Sequence, residues 1–191
     1  WPLSVAEGYV RGRDLVASYE ATTDWPYAPQ IYWRAGLLDC VPGVVGSLSL
    51  LVSVQTHLLD TYPRIVVEST SRAEQAFQWT AGGGERIEPA RIDRELNVPA
   101  SAGVCCILRR STGPSLSYAE FVPASDFRAA QAWRSDDGDC HVQWQMFAEF
   151  LEKGVIRRAR VHGAFLRREN DVDVAVACCQ AIERESLPLT T

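Results

Sequence analysis

Hydrophobic and polar positions alternate most strictly over Val44–His57 (VVGSLSLLVSVQTH). Val44, Leu48, Leu50, Val52 and Val54 share one parity. Ser47, Ser49, Ser53, Gln55 and His57 share the other, with Leu51 the main exception. A period of two sustained this long predicts a strand with one face in a core and one polar face. A helix would scatter those serines around its axis. Val155–Arg167 alternates in the same way: Val155, Ala159, Val161 and Phe165 on one side, Ile156, Arg158, Arg160 and His162 on the other. Gln30–Ala35 sets Ile31, Trp33 and Ala35 against Gln30, Tyr32 and Arg34.

The rest of the chain is read with weaker signals. Tyr9–Glu20 holds β-formers with blurred alternation and reads as a strand. Arg64–Thr70 (RIVVEST) follows Val44–His57 through a short link, which predicts antiparallel pairing of the two. Val104–Arg110 and Leu116–Val122 flank STGP and read as a hairpin. AGGGE at 81–85 is a flexible break, after which Pro89 opens a short helix over ARIDREL. Ser125 and Asp126 are placed to cap a helix running through Trp133. Gln143–Lys153 reads as a helix with Trp144, Phe147 and Leu151 on one face and Gly154 at its end. Asn170 caps a last helix, with Asp171 and Asp173 in its first turn and Val172, Val176, Cys179 and Ile182 as its buried stripe.

About seven strands in hairpins and about four helices predict an α+β class: one antiparallel sheet with helices packed mainly on one face. The 191 residues suit a single domain over 1–191 with a core of ordinary size. No internal repeat of solenoid period is present.

Composition removes function classes more readily than it adds them. The net charge of −5 and the scattered arginines make a nucleic-acid partner unlikely. No window approaches roughly 18 apolar residues, so no membrane span is predicted. The N-terminal segment lacks the pattern of a signal peptide. Six cysteines, four of them in two adjacent pairs, fit reduced and buried thiols of a cytoplasmic protein better than a disulfide framework. The sequence calls for no metal and no cofactor, because Cys140-His141 has no second pair at zinc-ligand spacing. No phosphate-binding loop, HExxH or GxSxG motif is present. Self-association remains open.

Candidate chemistry therefore rests on polar sheet faces. Arg158, Arg160 and His162 point together from one strand, Ser49, Ser53, Gln55 and His57 from a second, and Arg34 from a third beside Tyr32 and Gln30. Under a common cover they would make a pocket whose guanidinium forks suit a carboxylate or phosphate. The favoured reading is a binding domain for a small anionic metabolite. One alternative is a lyase or hydrolase of a carboxylate substrate, with His57 or His162 as the acid–base group and Glu68 or Glu120 in support. Another is an interaction protein without a small ligand, using Trp1, Trp25 and Tyr27. The plain alternative to all three is the solvated face of an antiparallel sheet.

One stretch also resembles a known family. ELNVPASAGVCCILRRSTGPSLSYAEFVPASDF, residues 95–127, is similar to the effector-binding (UTRA) domain of GntR-type regulators. The resemblance lies in Leu96, Val98-Pro99, Leu108-Arg109-Arg110, Gly113-Pro114 and Phe121-Val122-Pro123. Residues 147–179 resemble the same domain in their order of helix, glycine stop, arginine-bearing strand and acidic-capped helix. That fold is shared with chorismate lyase, and GSLSLLV at Gly46–Val52 is distantly similar to a strand start there. The resemblance implies an α+β fold with a small-molecule pocket against the sheet. It does not carry lyase activity across, because the position of that enzyme's substrate-gripping arginine falls near Cys105.

Overall fold

The computed structural model describes residues 4–36, 41–81, 89–99, 104–111, 113 and 115–184. These form thirteen strands and one helix, in the order β1 (Val5–Arg11), β2 (Asp14–Tyr19), β3 (Tyr27–Gly36), β4 (Val44–Thr56), β5 (Ile65–Arg72), β6 (Gln75–Ala81), β7 (Ala90–Arg91), β8 (Glu95–Pro99), β9 (Val104–Arg110), β10 (Leu116–Val122), β11 (Ala129–Arg134), β12 (Asp139–Met146), β13 (Arg157–Arg167) and α1 (Asp171–Glu183). A nine-stranded sheet has the order β1-β2-β3-β4-β13-β10-β9-β6-β7. A four-stranded sheet has the order β5-β12-β11-β8. The fold is a β-sandwich, which corrects the α+β expectation.

The core explains the correction. The small sheet buries Val142, Trp144 and Met146 of β12 against Val52, Ile107 and Val161 of the large sheet. Along β12, buried and partly covered residues alternate without a break, as in a strand with one face in a core. The Gln143–Lys153 helix is therefore absent, and its first residues belong to β12. The helix expected through Trp133 is strand β11, whose Ala130 and Ala132 lie in the same core. ARIDREL divides between β7 and the start of β8. Tyr9–Glu20 is a hairpin, β1 and β2, with Gly12 at φ 62 in its turn. The AGGGE break lies outside the described residues beyond Ala81, as do Cys40 and Trp1.

Most of the expected strands stand. Strand β3 contains Gln30–Ala35, β4 covers nearly all of Val44–His57, β5 and β13 cover most of Arg64–Thr70 and Val155–Arg167, β9 and β10 form the hairpin, and the last helix is present. The partner expected for β4 is wrong. Its neighbours are β3 and β13, while β5 pairs with β12 in the other layer. The short link after β4 changes sheets, which a sandwich permits.

Helix α1 packs on the face of the large sheet that turns away from the small one. Ala175, Cys178, Cys179 and Ile182 meet Cys106, Leu108, Phe121 and Leu166 there. Its stripe is rotated slightly from the expected one, since Val172 and Val176 are only partly buried. Asn170 stands at φ 59 and makes no side-chain capping bond. The helix start is tied down by Asp171, which accepts from Arg110 at 2.9 and 2.8 Å and from Ser117 at 2.6 Å. Burial would raise the Asp171 carboxyl, but these hydrogen bonds outweigh it and hold the group below its usual range. The five described cysteines are unbridged and buried. Burial pushes the Cys105 thiol up to about 12. No helix among the described residues is long and apolar enough to cross a membrane.

Candidate functional site

Helix α1 covers only the β6–β9–β10–β13 part of its face. Over β2, β3, β4 and the first half of β13 the same face is polar, because strand register lines up like parities. Asp14, Arg34, Ser49 and His162 make one row across four neighbouring strands. Val16, Tyr32, Leu51 and Arg160 make the next. Ser18, Gln30, Ser53 and Arg158 make the third. Arg34, Ser49, Ser53, Arg158, Arg160 and His162 thus share one continuous face. Gln55 lies on the same side opposite Ala28, exposed near the end of β4. His57 lies past that end, exposed and outside the array.

Hydrogen bonds fix most of these groups. Ser49 Oγ and His162 Nδ1 are 3.0 Å apart. Gln30 Nε2 donates to Ser18 Oγ at 2.9 Å, and the Tyr32 hydroxyl donates to Gln30 Oε1. Burial pushes the Tyr32 phenol up, aided by Tyr9, while the Arg158 charge pulls it down. Arg34 forks onto Asp14 at 2.6 and 2.8 Å.

Arg160 is held differently. The β10–β13 ladder ends at Phe121 and His162, and the loop after β10 brings in Asp126. Its Oδ2 accepts the Arg160 backbone N–H at 3.0 Å and Nε at 2.9 Å, and both side chains are buried. Asp126 caps no helix; its carboxylate continues the ladder that β10 leaves off. Asp14, Ser18 and Asp126 were not anticipated from sequence. The alternation of β2 hints at the first two, and Asp126 has no local signal.

His162 is pushed down to about 4, first by burial and then by the Arg160 charge, with Asp126 acting the other way. Its folded pKa lies below the unfolded value of 6.5. The neutral ring therefore contributes stability that is fully present above about 6.5 and is lost as pH falls toward 4. We expect urea unfolding to show a loss of roughly 2–3 kcal/mol across that window. His162→Gln should flatten the curve there; an unchanged slope would contradict the assignment.

Neither carboxylate named for the enzyme alternative shares the face of His162. Glu120 pairs across from Gly163, next to His162, and so points to the opposite side of the sheet. Glu68 lies on the outer face of the small sheet, 3.9 Å from His141. That face is a second polar array, with Trp133 stacked on His141 at 5.0 Å and Gln143 donating to Glu68 at 2.9 Å. No group of three or more metal-ligating side chains is gathered among the described residues.

No protein-family model matches the chain, and no curated protein matches it. Solved structures do. A provisionally assigned aldose 1-epimerase from Escherichia coli K12 superposes with a TM-score of 0.57 at 10% identity, over 84% of this chain and 68% of the other. Another from Klebsiella pneumoniae superposes with a TM-score of 0.56 at 10% identity, over 96% of this chain and 61% of the other. The chain thus spans about two thirds of the length of these neighbours. They overturn the resemblance to the UTRA domain and chorismate lyase: the hairpin β9–β10 and helix α1 that carried it belong to a different global arrangement. The fold is a β-sandwich similar to that of these two structures.

Proposed function

We propose that this chain is a carbohydrate-binding domain whose site is the polar face of β3, β4 and β13. One observation carries the reading. Among the described residues Arg158 has no carboxylate partner, and it stands in register with Ser53 and Gln30, beside Tyr32. The Tyr32–Gln30–Ser18 chain holds the neighbouring amide in one orientation. An uncommitted guanidinium beside fixed amide and hydroxyl groups suits a sugar that carries a carboxylate or phosphate. The neighbours' names, as aldose epimerases, support the sugar class.

Binding is favoured over proton transfer. His162 is held neutral, and Asp126, the carboxylate that acts on its titration, is engaged by Arg160.

Titration calorimetry with D-glucuronate, D-glucose 6-phosphate and D-glucose tests this. The anionic sugars should bind and glucose should bind at least about tenfold more weakly, since a hydrogen bond to a charged group contributes about 1.5–3 kcal/mol. Arg158→Ala should remove that preference. Equal affinity for all three, or anion binding that survives Arg158→Ala, would overturn the proposal.

A further inference from the structure

The two layers of the sandwich do not match in width. Nine strands face four, and the small sheet stops at β5. Strands β1, β2, β3 and the first part of β4 extend past it as a flap. The inner face of that flap is apolar and only partly covered, most exposed toward β1. Val10, Leu15, Trp33 and Leu50 form one row that runs inward to Val161 in the core. Val10 is 72% exposed, Leu15 51% and Leu48 39%. Between flap and β5 lies an open cleft of about 230 Å³, lined by Tyr19, Ile31, Trp33 and Val66 among others. An apolar sheet face of this kind marks a contact surface.

We propose that a second copy of this chain covers it, through a two-fold axis that sets the two flaps face to face. Three observations select this occupant. First, the flap is amphipathic: its other face carries Arg34, Gln30 and Tyr32, so a second flap supplies an apolar layer inward and a polar layer outward. It has the width that the missing layer requires, and sheets pack about 10 Å apart. Second, the arrangement uses both free edges on this side. The partner's β1, terminal in the large sheet, comes to lie along β5, terminal in the small one. Third, the edges match in charge. Strand β1 presents Glu7, Tyr9 and Arg11, and the β5 segment presents Arg64, Val66 and Glu68. Laid side by side in the same direction, they pair acid with base at both ends and tyrosine with valine between. An isologous contact then forms twice by symmetry. The polar face proposed to bind sugar stays open.

Sedimentation velocity of the full chain over a concentration series tests this. Wild type should reach twice the chain mass, and amide hydrogen exchange in β1 and β5 should slow as it associates. Leu15→Glu should raise the dimer dissociation constant roughly a hundredfold or more, because it buries an unpaired carboxylate. Its melting temperature as a monomer should stay near that of diluted wild type, since Leu15 is exposed in the single chain. Leu59→Glu, at a residue 75% exposed elsewhere, should leave the mass unchanged. A single-chain mass for wild type near millimolar concentration would overturn the proposal. So would a dimer that Leu15→Glu leaves intact.

Discussion

Glu120→Ala is expected to destabilise the fold by about 3–5 kcal/mol, the largest effect of any single substitution considered. Glu120 and Arg109 are each only 2% exposed and meet at 2.6 Å between the two sheets. The second carboxylate oxygen of Glu120 accepts the Trp144 indole N–H at 2.9 Å. Removing the carboxylate leaves a guanidinium and an indole N–H in the core without their acceptor. Arg109 keeps only weaker contacts, the Tyr118 ring at 4.9 Å and the Ser69 carbonyl at 3.4 Å. Tyr118 cannot easily move to compensate, because it fills the space left by Gly163, where a Cβ would collide with its phenol. The double variant Arg109→Met/Glu120→Leu should recover most of the loss, since apolar replacement of a buried pair is often neutral. Urea unfolding of the three variants checks this. A Glu120→Ala cost under about 1 kcal/mol would mean that the pair is hydrated.

Asp126→Asn has the second largest expected effect and reports directly on the candidate site. The carboxylate neutralises the buried Arg160 and takes its backbone N–H at 3.0 Å. We expect a cost of about 2–4 kcal/mol in urea unfolding, below that of Glu120 because an asparagine oxygen can still accept one bond. The substitution also has an electrostatic signature. Asp126 raises the His162 pKa while burial and Arg160 lower it. Losing the carboxylate should move the His162 midpoint still lower, as followed by the imidazole C–H resonance during an NMR titration. A midpoint that rises toward 6.5 would instead indicate that the loop opens and hydrates the ring.

How much of this was legible in the sequence follows from range. Strands β4 and β13 were readable because a period of two is local, and their polar parities were readable with it. That these parities are neighbours was not. Ser49 and His162 are 113 residues apart, and only the β4–β13 register brings them together. Strand β12 reads as a helix in sequence although Cys140, Val142, Trp144 and Met146 alternate, because Trp144, Phe147 and Leu151 also fit a helical stripe. Strand β11 is alanine-rich, and intrinsic preference argued for helix until burial between two sheets decided otherwise. The pairing of β4 with β5 failed because a short link implies a hairpin only within one layer. Asp126 was recognised as a capping residue but not as the partner of Arg160, since a carboxylate that terminates a ladder leaves no pattern in its own segment.

A sugar carrying an anionic group is proposed to lie on the polar face of β3, β4 and β13. Backbone amide shifts on titration with D-glucuronate test it most directly. The largest changes are expected at Gln30, Ser53 and Arg158, with Tyr32 and Ser49 following. Changes centred instead on Trp133 and His141 of the small sheet, or none anywhere, would contradict it.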